Sequence, residues 1–404
     1  MKIYISGISG TAMGPLALMA IEAGIEVVGS DKAEGAISNE LRKKNIEFFI
    51  GEQDGSFLEQ KNTEEEIDWF VYTSALPKEH PELLMARRLE LKISKRDELI
   101  AFLIEKLNLK MIAVAGTHGK TTTTSMIIWA ALKLGIPISY LVGTTLGFAE
   151  SGRYDEKSRF LVYEADEYDR NFLYFHPWVS GITNVSYDHP DIYKTREEYQ
   201  EAFLQFEQQS ENVVKNTTLN KNIAVAGEAR KFDATLALEM IKKITDEPEE
   251  KIIAILNVFP GVGRRFERIS EGVYSDYAHH PEEIEATLNV ANEEAKKCGF
   301  RGIVAIYEPH QNTRQHEVRD GYKRAFIGAE KIFFLPTFLV REDSNLAILT
   351  PEDLISTLEN KDKAVACALT SEFGERIKQL RNDGFLILLM SAGPADKWLR
   401  ELFA

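Results

Sequence analysis

The segment Met111–Ser125, MIAVAGTHGKTTTTS, has the residue types of a phosphate-binding loop. A short apolar run leads into a glycine-rich turn, and the chain then continues without Gly or Pro to Leu134, which predicts a strand, a turn and a helix. Glycines let backbone N–H groups crowd around phosphate oxygens, and a helix N-terminus adds a favourable dipole. Lys120 would reach the terminal phosphates of ATP, and the Thr121 hydroxyl would ligate Mg²⁺.

This loop departs from the usual pattern in one respect. Val114 stands where the first glycine belongs and Gly116 comes too late, which indicates a shortened variant. The alternative is a glycine turn that only caps a helix. The Lys-Thr pair and the strand before it favour an ATP site.

Acidic residues follow another predicted strand of the same region. Four carboxylates lie in Glu164–Asp169 (EADEYD), directly after the strand Phe160–Tyr163, and their oxygens suit the Mg²⁺ that ATP requires. A further strand, Val179–Asn184, ends near Asp188–Asp191 (DHPD). The alternatives are an acidic loop facing solvent and, for His189, a hydrogen-bonded side chain in place of a metal ligand.

A second glycine-rich turn, Gly7–Gly14 (GISGTAMG), follows the first predicted strand and opens a helix. Asp31 ends the next strand about twenty residues later, as in dinucleotide-binding folds. Ser9 stands where that pattern has its second glycine, so we expect a phosphate-bearing nucleotide other than a nicotinamide cofactor. The alternative is that the glycines serve tight packing of helix on strand.

Three polar segments in the last third of the chain could contact ligands. Phe259–Glu267 contains Arg264-Arg265, which could clamp a phosphate or form an ion pair between domains. Asp276–Pro281 (DYAHHP) ends a strand, and its adjacent histidines point in different directions, which favours one histidine in a cleft over a shared metal. Glu308–Arg314 (EPHQNTR) is either a ligand-binding strand end or an ordinary polar loop.

Alternating strands and helices would position these segments. In the N-terminal third we predict strands at Lys2–Ser6, Ile25–Ser30 and Trp69–Thr73 and helices at Met13–Ala23, Ser38–Lys44 (with Ser38 as N-cap) and Lys95–Leu107. In the last third we predict strands at Gly302–Tyr307, Lys331–Leu335 and Phe385–Met390 and helices at Glu282–Lys297, Phe373–Arg381 and a closing one to Leu402. Such alternation is typical of doubly wound parallel sheets, which bind ligands at the carboxyl ends of their strands.

The predicted fold class is therefore α/β with three domains. Residues 1–104 form a Rossmann-like parallel sheet, residues 105–262 a trimmed ATP-binding domain with the phosphate loop, and residues 263–404 a second Rossmann-like domain.

Composition and charge limit the functional class. The formal net charge of −15 argues against nucleic acid as a partner, and no apolar run approaches the roughly 20 residues of a membrane span. The two cysteines match no metal spacing, and the N-terminus lacks the basic start of a signal peptide. We expect a cytoplasmic protein, monomeric or homodimeric, that acts on small molecules away from membranes.

Together the motifs resemble those of the Mur ligase family, the ATP-dependent amide-forming enzymes of peptidoglycan assembly, and thereby of cell shape and division. The resemblance covers nearly the whole chain. Its pieces are GISGTAMG at Gly7, GTHGKTTTT at Gly116, EADEYD at Glu164, ITN…DH at Ile182–His189, GRRFE at Gly263 and DYAHHP at Asp276. GTHGKTT and DYAHHP resemble the branch that uses UDP-N-acetylmuramate. The resemblance implies that the first domain binds the UDP sugar, the central domain ATP and the third domain the amine.

Matching motif positions imply the site residues. Catalytic roles fall to Lys120, Glu164 and His189, and Mg²⁺ would be held by Thr121, Glu164 and His189. ATP would contact Gly116, Thr117, His118, Gly119, Lys120, Thr121, Thr122, Arg265 and Asp276. The UDP sugar would contact Gly7, Ser9, Gly10, Thr11, Met13, Gly14, Asp31 and Ser74, and the amine Tyr277, His279, His310 and Arg314.

The central domain departs from the family pattern. It is shorter than usual after the DH motif, and Ala229-Arg230 stand where a His-Asn pair near the adenine is expected. These features imply altered adenine contacts. They also leave open a catalytically inactive nucleotide-binding scaffold.

The amine substrate is left open by a second departure. Gln311 replaces one of the two arginines typical of the L-alanine enzymes, whereas His310 and Arg314 are retained. Tyr168 and Asn312-Thr313 resemble the tripeptide-adding branch.

We expect UDP-N-acetylmuramate to be joined to L-alanine through an acyl phosphate, with release of ADP and phosphate. The alternative amine is the murein-recycling tripeptide L-alanyl-γ-D-glutamyl-meso-diaminopimelate; a NAD-dependent dehydrogenase is the hypothesis from a different class.

Overall fold

Buried apolar strands alternate with helices to build three sheets. The computed structural model describes residues 1–73, 76–190, 192–215, 217–340, 342–343 and 345–404. They form two compact units, the first comprising residues 1–187, 199–223 and 232–260 and the second residues 188–198, 224–231 and 261–404. In the part of the chain that the structure describes, no helix combines the length and the apolar character needed to cross a membrane.

The first sheet is parallel throughout, with strand order β3-β2-β1-β4-β5. Its strands are β1 (Lys2–Ser6), β2 (Glu26–Asp31), β3 (Glu47–Ile50), β4 (Trp69–Tyr72) and β5 (Lys92–Lys95). Its helices are α1 (Met13–Glu22), α2 (Ser38–Lys43), α3 (Ser56–Glu64), α4 (Pro81–Arg88) and α5 (Arg96–Lys106). The order reverses direction at β1, so the turn after β1 lies at the crevice where open α/β sheets bind ligands.

The prediction of Ser38 as a helix N-cap is wrong. Helix α2 begins at Ser38 itself, and Ile37 occupies the N-cap position. The Ser38 hydroxyl accepts a hydrogen bond from the Gly35 N–H at 3.0 Å. It therefore closes the turn that precedes the helix and does not cap the amides of the first helical turn.

The second sheet has the order β11-β10-β6-β9-β7-β8 and is parallel except for the β7–β8 pair. Its strands are β6 (Lys110–Ala115), β7 (Ser139–Leu141), β8 (Gly152–Arg153), β9 (Phe160–Glu164), β10 (Val179–Ile182) and β11 (Val213–Val214). The helices of this region are α6 (Lys120–Leu134), α7 (Arg196–Gln209), α8 (Glu228–Ile241) and α9 (Glu249–Leu256), with a 3₁₀ segment at Tyr168–Tyr174.

The third sheet has the order β12-β13-β17-β14-β15-β16, with an antiparallel edge pair β12–β13. Its strands are β12 (Glu267–Ser270), β13 (Val273–Asp276), β14 (Ile303–Glu308), β15 (Lys331–Phe334), β16 (Ala364–Ala366) and β17 (Leu386–Ser391). Its helices are α10 (Pro281–Cys298), α11 (Asn312–Val318), α12 (Tyr322–Ala325), α13 (Pro351–Ile355), α14 (Ser371–Asn382) and α15 (Ala395–Leu402), with 3₁₀ turns at Arg319–Gly321 and Lys361–Lys363.

Both faces of the third sheet are covered by apolar side chains. Along β14, Ala305 and Tyr307 belong to one buried cluster, whereas Val304 and Ile306 belong to the cluster on the opposite face. This alternation follows from the two-residue period of a strand. It confirms the predicted α/β class and places the polar segments that follow β13, β14 and β17 at the ends of strands anchored by the core.

Candidate functional site

The glycine-rich turn between β6 and α6 has a backbone that only glycine fits. Gly116 and Gly119 have φ angles of 140° and 83°. A Cβ on Gly116 would overlap the Thr183 hydroxyl, and a Cβ on Gly119 would overlap the Asp233 carboxylate. A side chain is therefore excluded at both positions by the backbone angle and by the neighbouring atoms. The predicted strand, turn and helix are confirmed.

The segment after β10 fastens this turn. The backbone N–H of Thr117 donates to the carbonyl of Asn184 at 3.0 Å, and that of His118 donates to the Asn184 side-chain oxygen at 2.8 Å. The Thr117 hydroxyl donates to the Ser186 carbonyl at 2.6 Å and lies 2.9 Å from the hydroxyl of Tyr199. Thr117 is 8% exposed, and both its N–H and its hydroxyl are engaged by neighbouring residues, so Thr117 braces the loop.

Lys120 is folded over its own loop. Its ammonium lies 2.8 Å from a Glu167 carboxylate oxygen and donates to the carbonyls of Gly116 at 2.5 Å and Thr117 at 3.1 Å. Burial opposes the charge of Lys120, but the carboxylates of Glu167, Asp166 and Glu164 together outweigh burial, so the pKa of Lys120 lies above its ordinary value. Lys120 therefore places a positive charge at the N-terminus of α6.

Thr121 and Glu164 form the oxygen-rich side of the turn. The Thr121 hydroxyl donates to Glu164 at 2.6 Å, and the other Glu164 oxygen accepts from the Gly143 N–H at 3.1 Å. A hydroxyl and a carboxylate are hard oxygen donors, so this pair fits Mg²⁺. Thr122 lies in the first turn of α6 and is 8% exposed.

His189, the third predicted metal ligand, belongs to the second unit. Its backbone is left-handed, with a φ angle of 59°, and its carbonyl accepts from the N–H groups of Ile192 and Tyr193 at 2.9 Å. The His189 N–H donates to the Asp188 carboxylate at 2.7 Å. These bonds fix the backbone at His189, and its role as a metal ligand stays a prediction; Asp191, the last residue of the DHPD segment, lies outside the described residues.

The turn after β1 is held by β2. The N–H groups of Gly7 and Ile8 donate to the Ser30 carbonyl at 2.8 and 3.1 Å. The Ser9 N–H donates to the Asp31 carboxylate at 2.9 Å, and burial raises the pKa of Asp31. Gly7 has a φ angle of 84°, which favours glycine. Asp31 therefore closes the turn through Ser9, the residue that replaces the second glycine of the dinucleotide pattern.

The other predicted residues of this turn differ in exposure. Met13 is 1% exposed. Gly14 also packs inside, where an added Cβ would lie 2.6 Å from Ile37 Cγ2, so at this position the packing interpretation of the glycine holds. Ser74 lies outside the described residues. Two of the predicted residues face solvent, Gly10 and Thr11.

The adjacent arginines before β12 have different surroundings. Arg264 donates to the carbonyls of Ser391 at 2.6 Å and Gly393 at 3.3 Å, which ties the segment to the end of β17. Both guanidinium groups lie over the Tyr277 ring, Arg264 at 4.6 Å and Arg265 at 5.0 Å from its centroid. Arg264 is therefore a structural anchor, and Arg265 is the better candidate for phosphate.

Asp276 ends β13 and is 7% exposed. One carboxylate oxygen accepts from the Phe266 N–H at 2.6 Å and the other from the Ala278 N–H at 2.8 Å. Burial raises the pKa of Asp276, with the charge of Arg265 acting in the opposite direction. Its oxygens hold the segment before β12 and the segment after β13, so any contact with a nucleotide adds to this structural role.

Three of the predicted amine-site residues converge in the second unit. The Arg314 guanidinium pairs with the Asp188 carboxylate at 3.1 Å and lies 3.0 Å from the His310 ring nitrogen. The rings of His310 and His279 are 5.7 Å apart. Burial opposes the charge of Asp188, but the positive groups around it hold its pKa well below the ordinary range.

His279 lies beside the N-terminus of α10. Its ring nitrogen is 3.0 Å from the Tyr277 carbonyl and 3.3 Å from the Glu283 carboxylate, and Glu283 also accepts from the His279 N–H. Burial lowers the pKa of His279 to about 4. The imidazole is therefore neutral at pH 7, and the Tyr277 and His279 rings meet edge to face at 5.7 Å.

Arg230 belongs to the Ala229-Arg230 pair, which stands where the resemblance implies a His-Asn pair. It lies in the first turn of α8, donates to the Arg265 carbonyl at 2.5 Å and stacks over the Phe266 ring at 5.7 Å. Arg230 thus supports the backbone of the arginine segment.

Four residues that matter here were not singled out by the sequence. Glu167 was visible only as one member of the acidic run, Asn184 only as the last residue of the ITN motif, and Ser186 belongs to no motif of its own. Asp188 was quoted as part of the DH motif, but its partner Arg314 is 126 positions away. Only proximity in the folded chain reveals these roles.

Comparison with known proteins decides the family. Two family models match: "Mur ligase family, catalytic domain" over residues 2–107 and "Mur ligase middle domain" over residues 114–245. A UDP-N-acetylmuramate–L-alanine ligase from Clostridium kluyveri is 30% identical over 455 aligned positions, covering 97% of this chain and 95% of the relative.

The chain belongs to the Mur ligase family. The alignment with the C. kluyveri Mur ligase is longer than the 404 residues of this chain, so that relative carries insertions, in agreement with a shortened Mur ligase.

Solved Mur ligases share the fold along the full chain. A UDP-N-acetylmuramate–alanine ligase from Thermotoga maritima has a TM-score of 0.80 at 23% identity, covering 100% of this chain and 98% of that one. A murein peptide ligase from Psychrobacter arcticus has a TM-score of 0.67 at 22% identity, covering 100% and 97%.

Proposed function

We propose that this chain is an ATP-dependent, ADP-forming ligase that joins UDP-N-acetylmuramate to L-alanine. The observation that carries the proposal is the near-complete alignment with a ligase of that name, at 30% identity, in a chain whose Lys120 begins α6. ATP and two further small molecules are then the substrates. A cytoplasmic location and a monomeric or homodimeric state are part of the same proposal.

The reaction requires activation of a carboxylate. A carboxylate oxygen of UDP-N-acetylmuramate attacks the γ-phosphorus of ATP, and the bond to ADP breaks. The amine of L-alanine then attacks the acyl carbon, and phosphate leaves with the original carboxylate oxygen. Lys120 and the N–H groups at the start of α6 supply the positive field for the phosphoryl oxygens.

Glu167 has a positioning role in this scheme. Its carboxylate, 1% exposed, holds the Lys120 ammonium 2.8 Å away over the turn. ATP phosphates would compete with the carbonyls of Gly116 and Thr117 for the same ammonium. Bound Mg²⁺, held by Thr121 and Glu164 and in our proposal also by His189, would add positive charge to the phosphate oxygens.

The other substrates are assigned to the remaining turns. The turn Gly7–Gly14 with Asp31 would bind the UDP sugar, and Tyr277, His279, His310 and Arg314 would surround the amine. We also propose the domain limits 1–104, 105–262 and 263–404 for the three substrate-binding parts. Arg265 and Asp276 would contact ATP.

The tripeptide is the second candidate amine. It is favoured by the similarity to the murein peptide ligase from P. arcticus and by Gln311, which replaces an arginine typical of L-alanine enzymes. The lower TM-score of that structure and the names of the full-length relatives favour L-alanine.

The test is phosphate release from ATP in the presence of Mg²⁺ and UDP-N-acetylmuramate, with L-alanine, the tripeptide or no amine. We expect release with L-alanine, and a product heavier by one alanine residue in mass spectra. Release only with the tripeptide would transfer the proposal to the second candidate. No release with either amine would overturn the ligase proposal and favour an inactive scaffold.

A further inference from the structure

A buried carboxylate lies directly behind the turn that follows β1. Glu82, in the first turn of α4, is 1% exposed. One of its oxygens accepts from the hydroxyls of Tyr4 at 2.6 Å and Ser30 at 2.5 Å. The other accepts from the Ser6 hydroxyl at 2.5 Å and the Gln53 amide at 3.0 Å. Four donors from β1, β2 and the segment after β3 therefore converge on one side chain.

Burying a carboxylate in this way costs free energy, which indicates a role beyond packing. Removing a carboxylate from water requires that its hydrogen bonds be replaced, and apolar residues of similar volume often give equal or greater stability. Burial and the Glu82 charge also raise the pKa of Tyr4 far above its ordinary value, so the phenol stays a donor. All four partners therefore donate their hydrogen bonds to the Glu82 carboxylate.

The two serines of the network shape the turn. Ser6 is the residue immediately before Gly7, and the Ser30 carbonyl accepts from the N–H groups of Gly7 and Ile8. Gln53 also donates to the Ser30 hydroxyl at 2.8 Å, which fixes that side chain from the other side. Glu82 therefore fixes the side chain of Ser6, which precedes the turn, and the side chain of Ser30, whose carbonyl accepts from the turn.

We propose that Glu82 is a positioning residue for nucleotide-sugar binding, because its buried carboxylate fixes the two serines that set the path of the Gly7 turn. The proposal rests on the proposed function, in which that turn binds UDP-N-acetylmuramate. Glu82 acts through Ser6 and Ser30 and touches no substrate.

The discriminating variant is Glu82→Gln, which keeps the shape but replaces one acceptor oxygen with an NH₂ donor, so the four donors share a single acceptor oxygen. Calorimetric titration should show UDP-N-acetylmuramate binding weakened about tenfold, equivalent to about 1.4 kcal/mol. ATP binding should be unchanged, since Lys120 and its loop are untouched. The double variant Glu82→Gln/Gln53→Glu restores one donor facing one acceptor and should recover most of the affinity.

Ser94→Ala is the matched control. It removes a buried hydrogen bond of the same sheet, from the Trp69 indole to Ser94 at 2.8 Å, away from the turn. It should leave the affinity for UDP-N-acetylmuramate unchanged. If Glu82→Gln does not fold, Ser30→Ala gives the same comparison with the loss of one donor.

The outcomes distinguish the positioning role of Glu82 from the proposed function. If the unmodified protein binds UDP-N-acetylmuramate and Glu82→Gln binds it equally well, the positioning role is overturned. Equal weakening of both ligands, or equal weakening by Ser94→Ala, would also overturn it, because it would indicate general loosening. Failure of the unmodified protein to bind UDP-N-acetylmuramate would reject the proposed function itself.

Discussion

The Arg314 guanidinium and the Asp188 carboxylate form a buried ion pair, with a distance of 3.1 Å and side chains that are 5% and 7% exposed. Arg314 also lies 3.0 Å from His310, so its donors already have protein partners. The predicted amine-site arginine therefore orders neighbouring groups as well as carrying a charge. An amine substrate whose carboxylate binds here meets a cation fixed in place.

Arg314→Ala should lower the free energy of unfolding by about 3 kcal/mol, because it leaves the Asp188 charge buried without its partner. It should also raise the KM for L-alanine more than it lowers kcat, as expected for lost substrate binding. Urea unfolding and steady-state kinetics measure the two effects. Arg324→Ala is the control, since the Arg324 side chain is 75% exposed and its ion pair with Glu359 is long, at 3.9 Å. Equal effects of the two changes would contradict the buried-pair interpretation.

The phosphate turn gives a prediction with a matched glycine. Gly119 and Gly135 begin and end the same helix with φ angles of 83° and 70°, but only at Gly119 would a Cβ meet another group, the Asp233 carboxylate. Gly119→Ala should therefore destabilise the protein by about 2 kcal/mol more than Gly135→Ala, because overpacking is added to backbone strain. Thermal unfolding and ATP titration of both variants check this. Equally tight ATP binding by Gly119→Ala and Gly135→Ala would contradict the assignment of this turn to the phosphates.

Lys120→Ala removes the cation assigned to the phosphoryl oxygens. We expect phosphate release to fall about 10³-fold, since the transferring group loses a preorganised positive charge. Lys133→Ala, at the other end of the same helix, removes a cation that lies over the Trp129 ring and should retain normal turnover. Normal turnover in Lys120→Ala would reject the assignment.

Stability should depend on the titration of His279. Its pKa is lowered to about 4 in the folded protein, so as the pH falls from about 6.5 towards 4 the unfolded chain binds the proton first and stability decreases. His279→Asn should flatten this part of the pH dependence, measured as the free energy of urea unfolding across that range. An unchanged pH dependence in the variant would show that another group is responsible.

The fold was predictable where strands are apolar and helices long. The strands β1, β2, β6 and β14 and the helix Lys120–Leu134 are found close to their predicted positions, because buried runs bounded by glycine turns carry a strong signal. Ser38 was misassigned because a hydroxyl near a helix start can close a turn as readily as cap the helix.

Short edge elements were missed for a physical reason. Strand β3 alternates exposed and half-buried residues over four positions, and β5 begins and ends with lysine, so neither has an apolar run. Helix α11 is seven residues long and polar, and its segment read equally as a loop. Such elements gain stability from their neighbours in the sheet, which a local pattern does not contain.

The candidate site was predictable residue by residue but not as a network. Residue type and position indicated Lys120, Thr121 and Glu164, whereas the family resemblance indicated Arg314. The partners that fix them, such as Glu167 for Lys120 and Asp188 for Arg314, follow from the packing of distant segments.

The most direct test of the account follows an oxygen atom. UDP-N-acetylmuramate labelled with ¹⁸O in its carboxylate is incubated with the protein, ATP, Mg²⁺ and L-alanine, and the released phosphate is examined by mass spectrometry. Activation of the carboxylate by ATP predicts phosphate that carries one ¹⁸O atom, because the leaving group retains the carboxylate oxygen. Phosphate without ¹⁸O, formed while ATP is consumed, would contradict the acyl-phosphate mechanism and with it the proposed ligase function.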